Sequence, residues 1–158
     1  MDKENTLYLD LKDGRVVIEM LPNAAPKHVA RIKELVRQGF YDGIVFHRVI
    51  DGFMAQTGDP LGTGMGGSGK KLAAEFNSEP HVRGTVSMAR AMDPNSADSQ
   101  FFICFADARF LDCQYTVWGK VVSGMEFVDK IKKGDPNRNG VVSNPDKIVK
   151  MLVATDEK

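Results

Sequence analysis

A mainly β fold, with short strands closed or sandwiched around one core and two helices set against it, is the fold class this sequence predicts. Three observations lead there. Short runs of β-branched, aromatic and alternating apolar residues recur along the chain, most of them bounded by glycine, proline, asparagine or aspartate. Only two stretches place apolar residues at helical spacing. With 158 residues, 42% of them hydrophobic and 27% charged, the chain has the length and apolar content of one globular domain with a sizeable core, expected over residues 1–158.

The elements follow in order. Leu7, Leu9 and Leu11 alternate with polar or amphipathic neighbours, Asp13-Gly14 is a two-residue turn signal, and residues 15–20 return, which predicts an opening hairpin with those leucines facing inward. The period then changes. Pro26 suits a first helical turn, Val29, Ile32, Leu35 and Val36 share one helical face, and Gly39 follows as a cap, so a helix is predicted over residues 25–38. Residues 44–50 and 53–57 read as strands separated by Asp51-Gly52, while residues 58–71 are too rich in glycine for regular structure and should form a surface loop. Further strands are predicted over residues 85–90, 100–105 and 116–122. Ser123-Gly124-Met125-Glu126 has capping-box form ahead of Phe127, Val128 and Ile131, predicting a second helix that ends near Gly134. Residues 135–140 are turn-forming, and residues 148–154 supply a last strand.

Composition narrows the function classes. Lys plus Arg and Asp plus Glu are equal at 21 each, so no overall charge favours nucleic acid or an anionic membrane as partner. No apolar run approaches the roughly 18 residues that would span a bilayer, and residues 1–5 lack the basic and apolar regions of a signal peptide, so a cytoplasmic location is the expectation. Cys104 and Cys113 show no metal-ligand spacing and read as reduced, structural thiols. His28, His47 and His81 are scattered without a ligand set, so no metal or other cofactor is expected, and His47 reads as a hydrogen-bonding core residue.

The glycine-rich loop contains two decoys. Gly62-Thr63-Gly64-Met65-Gly66-Gly67 satisfies the dinucleotide pattern, and residues 64–71 nearly satisfy the phosphate-loop pattern, with Lys71 where a metal-binding hydroxyl should stand. Each motif works only when a buried strand enters the glycines and a helix leaves them, and Asp59-Pro60 before the loop and Pro80 after it leave no such frame. Serine hydrolysis is set aside because Ser87 and Ser99 have no recognisable nucleophile elbow around them.

The stretch that organises the chain is Phe46-His47-Arg48-Val49-Ile50-Asp51-Gly52-Phe53-Met54-Ala55-Gln56-Thr57-Gly58-Asp59. Alternation alone would put Arg48 and Gln56 on the water face of two ordinary strands. Yet a charged and an amide side chain in so apolar a run ask to be paired or used. With Ser99-Gln100-Phe101-Phe102-Ile103 downstream, this stretch resembles the signature of the cyclophilin family of peptidyl-prolyl isomerases. Residues 39–43 (GFYDG), 84–89 (GTVSMA), 110–112 (FLD) and 117–121 (VWGKV) are similar to further family blocks in the family's order, so the resemblance covers nearly the whole chain.

The resemblance implies an eight-stranded antiparallel barrel, closed, with a helix over each open end. It also implies catalysis of rotation about X-Pro bonds in proteins, as a folding helper without cofactor and most simply as a monomer. Arg48 and Gln56 take the catalytic positions; Phe53, Met54, Phe102 and Leu111 wall a proline pocket; Phe110 and Tyr115 stand at its rim. Ala89, Arg90, Ala91 and Gln100 line an adjoining groove for the residues before proline. The partners implied are proline-containing segments of client proteins and, at the same groove, cyclosporin. Phe110 stands where many members carry Trp, Tyr115 where many carry His and Arg90 where many carry Asn, and residues 91–94 are one residue longer, so weakened cyclosporin affinity is expected. A proline-peptide chaperone or scaffold with incidental catalysis is the alternative reading.

The chemistry such a site needs is modest. Rotation about an X-Pro bond faces a barrier of roughly 18–20 kcal/mol because amide resonance must be broken. A catalyst therefore needs to bind the twisted amide better than either planar isomer, with a pocket for the ring and a donor where charge shifts. An Arg qualifies because it stays charged and offers several fixed donors.

Overall fold

Eight antiparallel strands form one sheet in the order β3-β4-β6-β5-β7-β2-β1-β8 in the computed structural model, which describes residues 2–157. The hairpin comes first, β1 (Thr6–Leu11) and β2 (Gly14–Met20), with Leu7 and Leu9 fully buried. Its two-residue turn lies one position earlier than Asp13-Gly14 predicts, since Leu11 pairs with Gly14 and the turn is Lys12-Asp13. Gly14 is needed in the strand instead, because a Cβ there would sit 2.6 Å from the Phe127 ring.

Helix α1 (Pro26–Arg37) buries His28, Val29, Ile32, Leu35 and Val36 and lies against β8 (Lys150–Val153). The second helix, α2, is much shorter than its sequence suggests, covering only Met125–Asp129 and packing on β2. Ser123 does not cap it: it ends strand β7 (Val117–Ser123), and the cap residue is Gly124 in a left-handed conformation, φ 85°, with no side-chain cap bond. The remaining strands are β3 (Arg48–Ile50), β4 (Met54–Thr57), β5 (Thr85–Met88) and β6 (Phe101–Cys104), all shorter than predicted.

The structure also corrects the expectation of a closed barrel. Strands β3 and β8 are the two edges, no ladder joins them, and the sheet is an open half-barrel. An irregular segment crosses the gap, making isolated bridges at Val45↔Lys147 and Arg48↔Val141 and backbone hydrogen bonds such as Val49 N to Gly140 O and Ile148 N to Ile44 O. It cannot become a ninth strand. Asn139 and Asn144 adopt positive φ, 58° and 49°, and Pro145 carries no N–H, so the extended conformation breaks three times within seven residues. The same pairing explains why the strand predicted over residues 44–50 contracts to its last three, while the covered edge is kept from pairing with another chain.

Period-two alternation divides the sheet between two apolar clusters. The main core takes one face, including Val49, Ala55, Val86, Phe101 and Ile103, together with the inner faces of the hairpin and α1. A smaller cluster of Met54, Phe102, Cys104, Ala108 and Leu111 sits on the other face, with Ile50, Phe53, Ala89 and Tyr115 packed against it.

Candidate active site

The smaller cluster is the floor of a pocket. Pairing across β3, β4, β6 and β5 aligns Arg48 with Gln56, Gln56 with Phe102, and Phe102 with Ser87, so these side chains share the outer face. A cavity of about 120 Å³ opens there, lined by Arg48, Phe53, Met54, Gln56, Ala89, Arg90, Phe102, Leu111 and Tyr115. Phe110 lies outside that lining, 68% exposed, with its ring 5.7 Å from Phe53, at the edge of the opening. A second cavity of about 300 Å³ adjoins it along Gln56, Ala89, Arg90, Ala91 and Gln100, and the glycine-rich loop supplies its far wall. The structure thus gathers all twelve residues singled out in the sequence around one two-lobed depression.

Arg48 is held at three points. Its Nη1 donates to Gln56 Oε1 (3.2 Å), its Nε to the Asn139 carbonyl (2.9 Å) and its Nη2 to Asn139 Oδ1 (3.0 Å). Desolvation lowers the pKa of the guanidinium, opposed by Tyr115, and an arginine side chain in a protein keeps its charge. Gln56 passes the network on: its Nε2 donates to Gln100 Oε1 (2.9 Å), and Gln100 Nε2 donates to the carbonyls of Gly64 and Gly66 (both 2.9 Å). Arg90 serves the rim, stacking 4.7 Å over the Tyr115 ring and donating to the carbonyls of Gln114, Ala91 and Met92.

The residue that sequence reasoning missed is Asn139. It lies 91 positions from Arg48, in a stretch whose composition reads only as turn-forming, and no local signal marks it. The turn is nevertheless well tied down, with Asp135 capping Asn137 N and Gly140 donating to the Asp135 carbonyl.

Most amides of the glycine loop that could meet a phosphate are already engaged by carboxylates. Asp59 is buried and accepts from the N–H groups of Leu61, Thr63 and Gly64, while Asp98 accepts from those of Ser68 and Gly69. Burial raises the pKa of Asp59, but the amides of Leu61, Thr63, Gly64 and Gly66 outweigh it and hold the carboxyl below its ordinary value. Two side-chain carboxylates thus take up amides that a phosphate would compete for.

One histidine differs from expectation, and another makes contacts that the sequence did not announce. His47 is buried, but its Nδ1 has no hydrogen-bond partner, so it is a core residue and not a core hydrogen-bonder. His81 joins a chain with serine-hydrolase connectivity: its Nε2 lies 2.9 Å from Ser87 Oγ and its Nδ1 3.1 Å from Asp112 Oδ1. Arg109 and the backbone N–H of His81 bring the Asp112 carboxyl down to about 2. Hydrolysis still has no access, because Ser87 and His81 are fully buried and Ser87 also bonds the Thr116 carbonyl. The chain braces the pocket from beneath, with the His81 ring stacked on Phe102 at 6.1 Å and edge-on to Tyr115 at 6.4 Å. Among the described residues no group of three or more His, Cys, Asp or Glu could hold a metal ion, and no helix is long and apolar enough to cross a membrane.

Comparison with known proteins gives this arrangement a class. The family model for cyclophilin-type peptidyl-prolyl cis-trans isomerases matches residues 6–153. A probable peptidyl-prolyl cis-trans isomerase of Brucella suis is 58% identical over 170 aligned positions, covering 99% of this chain and 86% of that protein. Peptidyl-prolyl cis-trans isomerase B of Bacillus subtilis is 44% identical, over 82% of this chain and 92% of its own. Among solved structures, a cyclophilin from Hirschia baltica superposes with a TM-score of 0.88 at 30% identity, covering 100% of this chain and 77% of that one. A cyclophilin-type isomerase from Cryptosporidium parvum, crystallised in the presence of the dipeptide Ala-Pro, superposes with a TM-score of 0.85 at 28% identity over 94% and 98% of the two chains. The chain belongs to the cyclophilin-type peptidyl-prolyl cis-trans isomerase family, and its activity is that of a peptidyl-prolyl cis-trans isomerase.

Proposed function

We propose that the protein isomerises exposed X-Pro bonds in unfolded or flexible protein segments with Arg48 as the donor to the twisted amide. The observation that carries this reading is the juxtaposition of one oriented cation with an apolar floor of Phe53, Met54, Phe102 and Leu111 in a cavity of about 120 Å³. The proline ring sits on that floor. As the preceding carbonyl turns, the prolyl nitrogen becomes pyramidal and its lone pair faces a guanidinium N–H. Gln56 orients the guanidinium, and Ala89, Arg90, Ala91 and Gln100 line the groove that takes the residues before proline.

A charged hydrogen bond is worth about 1.5–3 kcal/mol, roughly 10–150-fold in rate, so the donor supplies part of the acceleration and the pocket the rest. Desolvating the amide and fixing the ring while the carbonyl moves are the pocket's means. On this reading the protein acts as a monomeric single domain on client segments in the cytoplasm. Cyclosporin would occupy the same groove, weakened by Phe110 at the rim.

The test is the relaxation of a short X-Pro peptide from cis to trans. Arg48→Ala should lower kcat/KM about a hundredfold, roughly 3 kcal/mol, while the protein remains folded. Near-wild-type activity in a folded Arg48→Ala protein would falsify the assignment.

A further inference from the structure

Arg48 carries a long, rotatable side chain, yet its guanidinium is held in one orientation by three hydrogen bonds. Of its five N–H groups, those on Nε and Nη2 that meet Asn139 form a fork closed by a single residue, whose backbone carbonyl and Oδ1 stand where the two oxygens of a carboxylate would. Gln56 takes a third N–H, on Nη1, leaving one free on each terminal nitrogen. A carboxylate in the place of Asn139 would make the same fork but would add a negative charge beside the cation. Asn supplies the geometry and leaves the positive charge uncompensated.

The placement is built in. Asn139 holds φ at 58°, a left-handed conformation that Asn tolerates better than most residues, and this turns both of its oxygens toward β3. On the N-terminal side the turn is pinned by Gly134 N to the Val49 carbonyl and Asp135 N to the Val141 carbonyl, on the C-terminal side by Val49 N to the Gly140 carbonyl (2.8 Å) and the Arg48↔Val141 bridge. Gly134 has no alternative, since a Cβ there would lie 1.8 Å from the Gly140 carbonyl oxygen. The segment that crosses the open side of the sheet therefore delivers one polar residue to the side of the donor facing away from Gln56.

We infer that Asn139 is a positioning residue for the isomerisation, fixing the Arg48 guanidinium before substrate arrives so that no reorientation is needed as the amide twists. This rests on the role proposed for Arg48. Removing Oδ1 should slow the turnover step and leave the pocket's hold on the proline ring alone.

The experiment is a double-mutant cycle on cis-trans exchange of a short X-Pro peptide, with kcat and KM measured for wild type, Asn139→Gly, Arg48→Ala and the double variant. Glycine keeps the left-handed backbone and the main-chain carbonyl and removes the side chain, whose Oδ1 is the atom that meets Arg48. Losing that bond should lower kcat roughly threefold to tenfold with KM within about twofold, and should have no further effect when Arg48 is already Ala. Equal losses in both backgrounds would show a merely structural role and overturn the inference, as would unchanged kcat in Asn139→Gly alongside a slow Arg48→Ala. Wild-type activity in Arg48→Ala would remove the role of Arg48 itself, and the inference with it.

Discussion

Two rows of residues cross the same four strands one position apart, and they do opposite things. The row Val49, Ala55, Ile103, Val86 faces inward, and every member is fully buried in the main core. The row Arg48, Gln56, Phe102, Ser87 faces outward and passes from a cation to an amide, an aromatic floor and a buried hydroxyl. The backbone geometry is shared, so what differs is only which face the pleat presents. The inner row is bound to stability, because its side chains have nowhere to go. The outer row can be given to chemistry, because a small second cluster beneath it supplies just enough burial to hold the pocket in shape.

Substitutions in the two rows should separate these roles. Ile103→Ala, in the inner row, should cost about 2–5 kcal/mol of stability by chemical denaturation, since the hole it leaves is sealed on all sides. Activity per folded molecule should hardly change. Phe102→Ala, one residue away, opens its hole onto the pocket, where water can fill it. Its stability loss should be smaller, and it should lower kcat/KM at least about tenfold by removing the floor under the proline ring. If the two variants lose stability and activity in the same proportion, the division between the rows fails.

Next in size is the response at the rim. Phe110→Trp adds an indole N–H and a larger face at a side chain that is 68% exposed, so cyclosporin inhibition should tighten on the order of 10–100-fold while peptide turnover changes little. An unchanged inhibition constant would shift attention to the longer groove edge at residues 90–94.

pH sharpens the comparison further. Burial lowers the pKa of His28, His47 and His81, each of which the folded protein therefore prefers neutral. The unfolded chain takes up protons near pH 6.5, so the stability these residues contribute is complete above about pH 6.5 and falls as pH drops through that value toward their lower folded pKa values. Melting temperature should decline over that range. The donor proposed, Arg48, does not titrate there, so kcat per folded molecule should stay level, and a sigmoidal fall in kcat with the same midpoint would mean that a histidine takes part. The smallest effect expected is in the glycine loop: replacing Lys70 and Lys71 with Ala should leave isomerisation almost unchanged. The backbone carbonyls of Gly64 and Gly66, not the lysines, anchor Gln100, and calorimetry with ATP or NAD should show no micromolar binding for either protein.

What the chain determines by itself is whatever repeats at short range. Alternation in residues 6–11 and the helical face of Val29, Ile32, Leu35 and Val36 predict elements the structure contains, because a strand or a helix samples its neighbours at a fixed period. The Arg48 to Asp59 stretch also announces itself, since a cation and an amide amid apolar residues are costly unless used. Tertiary structure decided the rest. Whether residues 139–148 complete a barrel depends on a left-handed Asn, a second one and a proline acting together against the pairing that Ile44 to Ile50 offers. The helix over residues 125–129 stops early although its apolar spacing continues to Ile131, and nothing in that spacing states its length. Asn139 meets Arg48 across 91 residues, Asp59 fills its own loop's amides, and His81 finds Ser87 and Asp112 under Phe102. Local periodicity tells which way a side chain points, and only the strand order tells what it will find there.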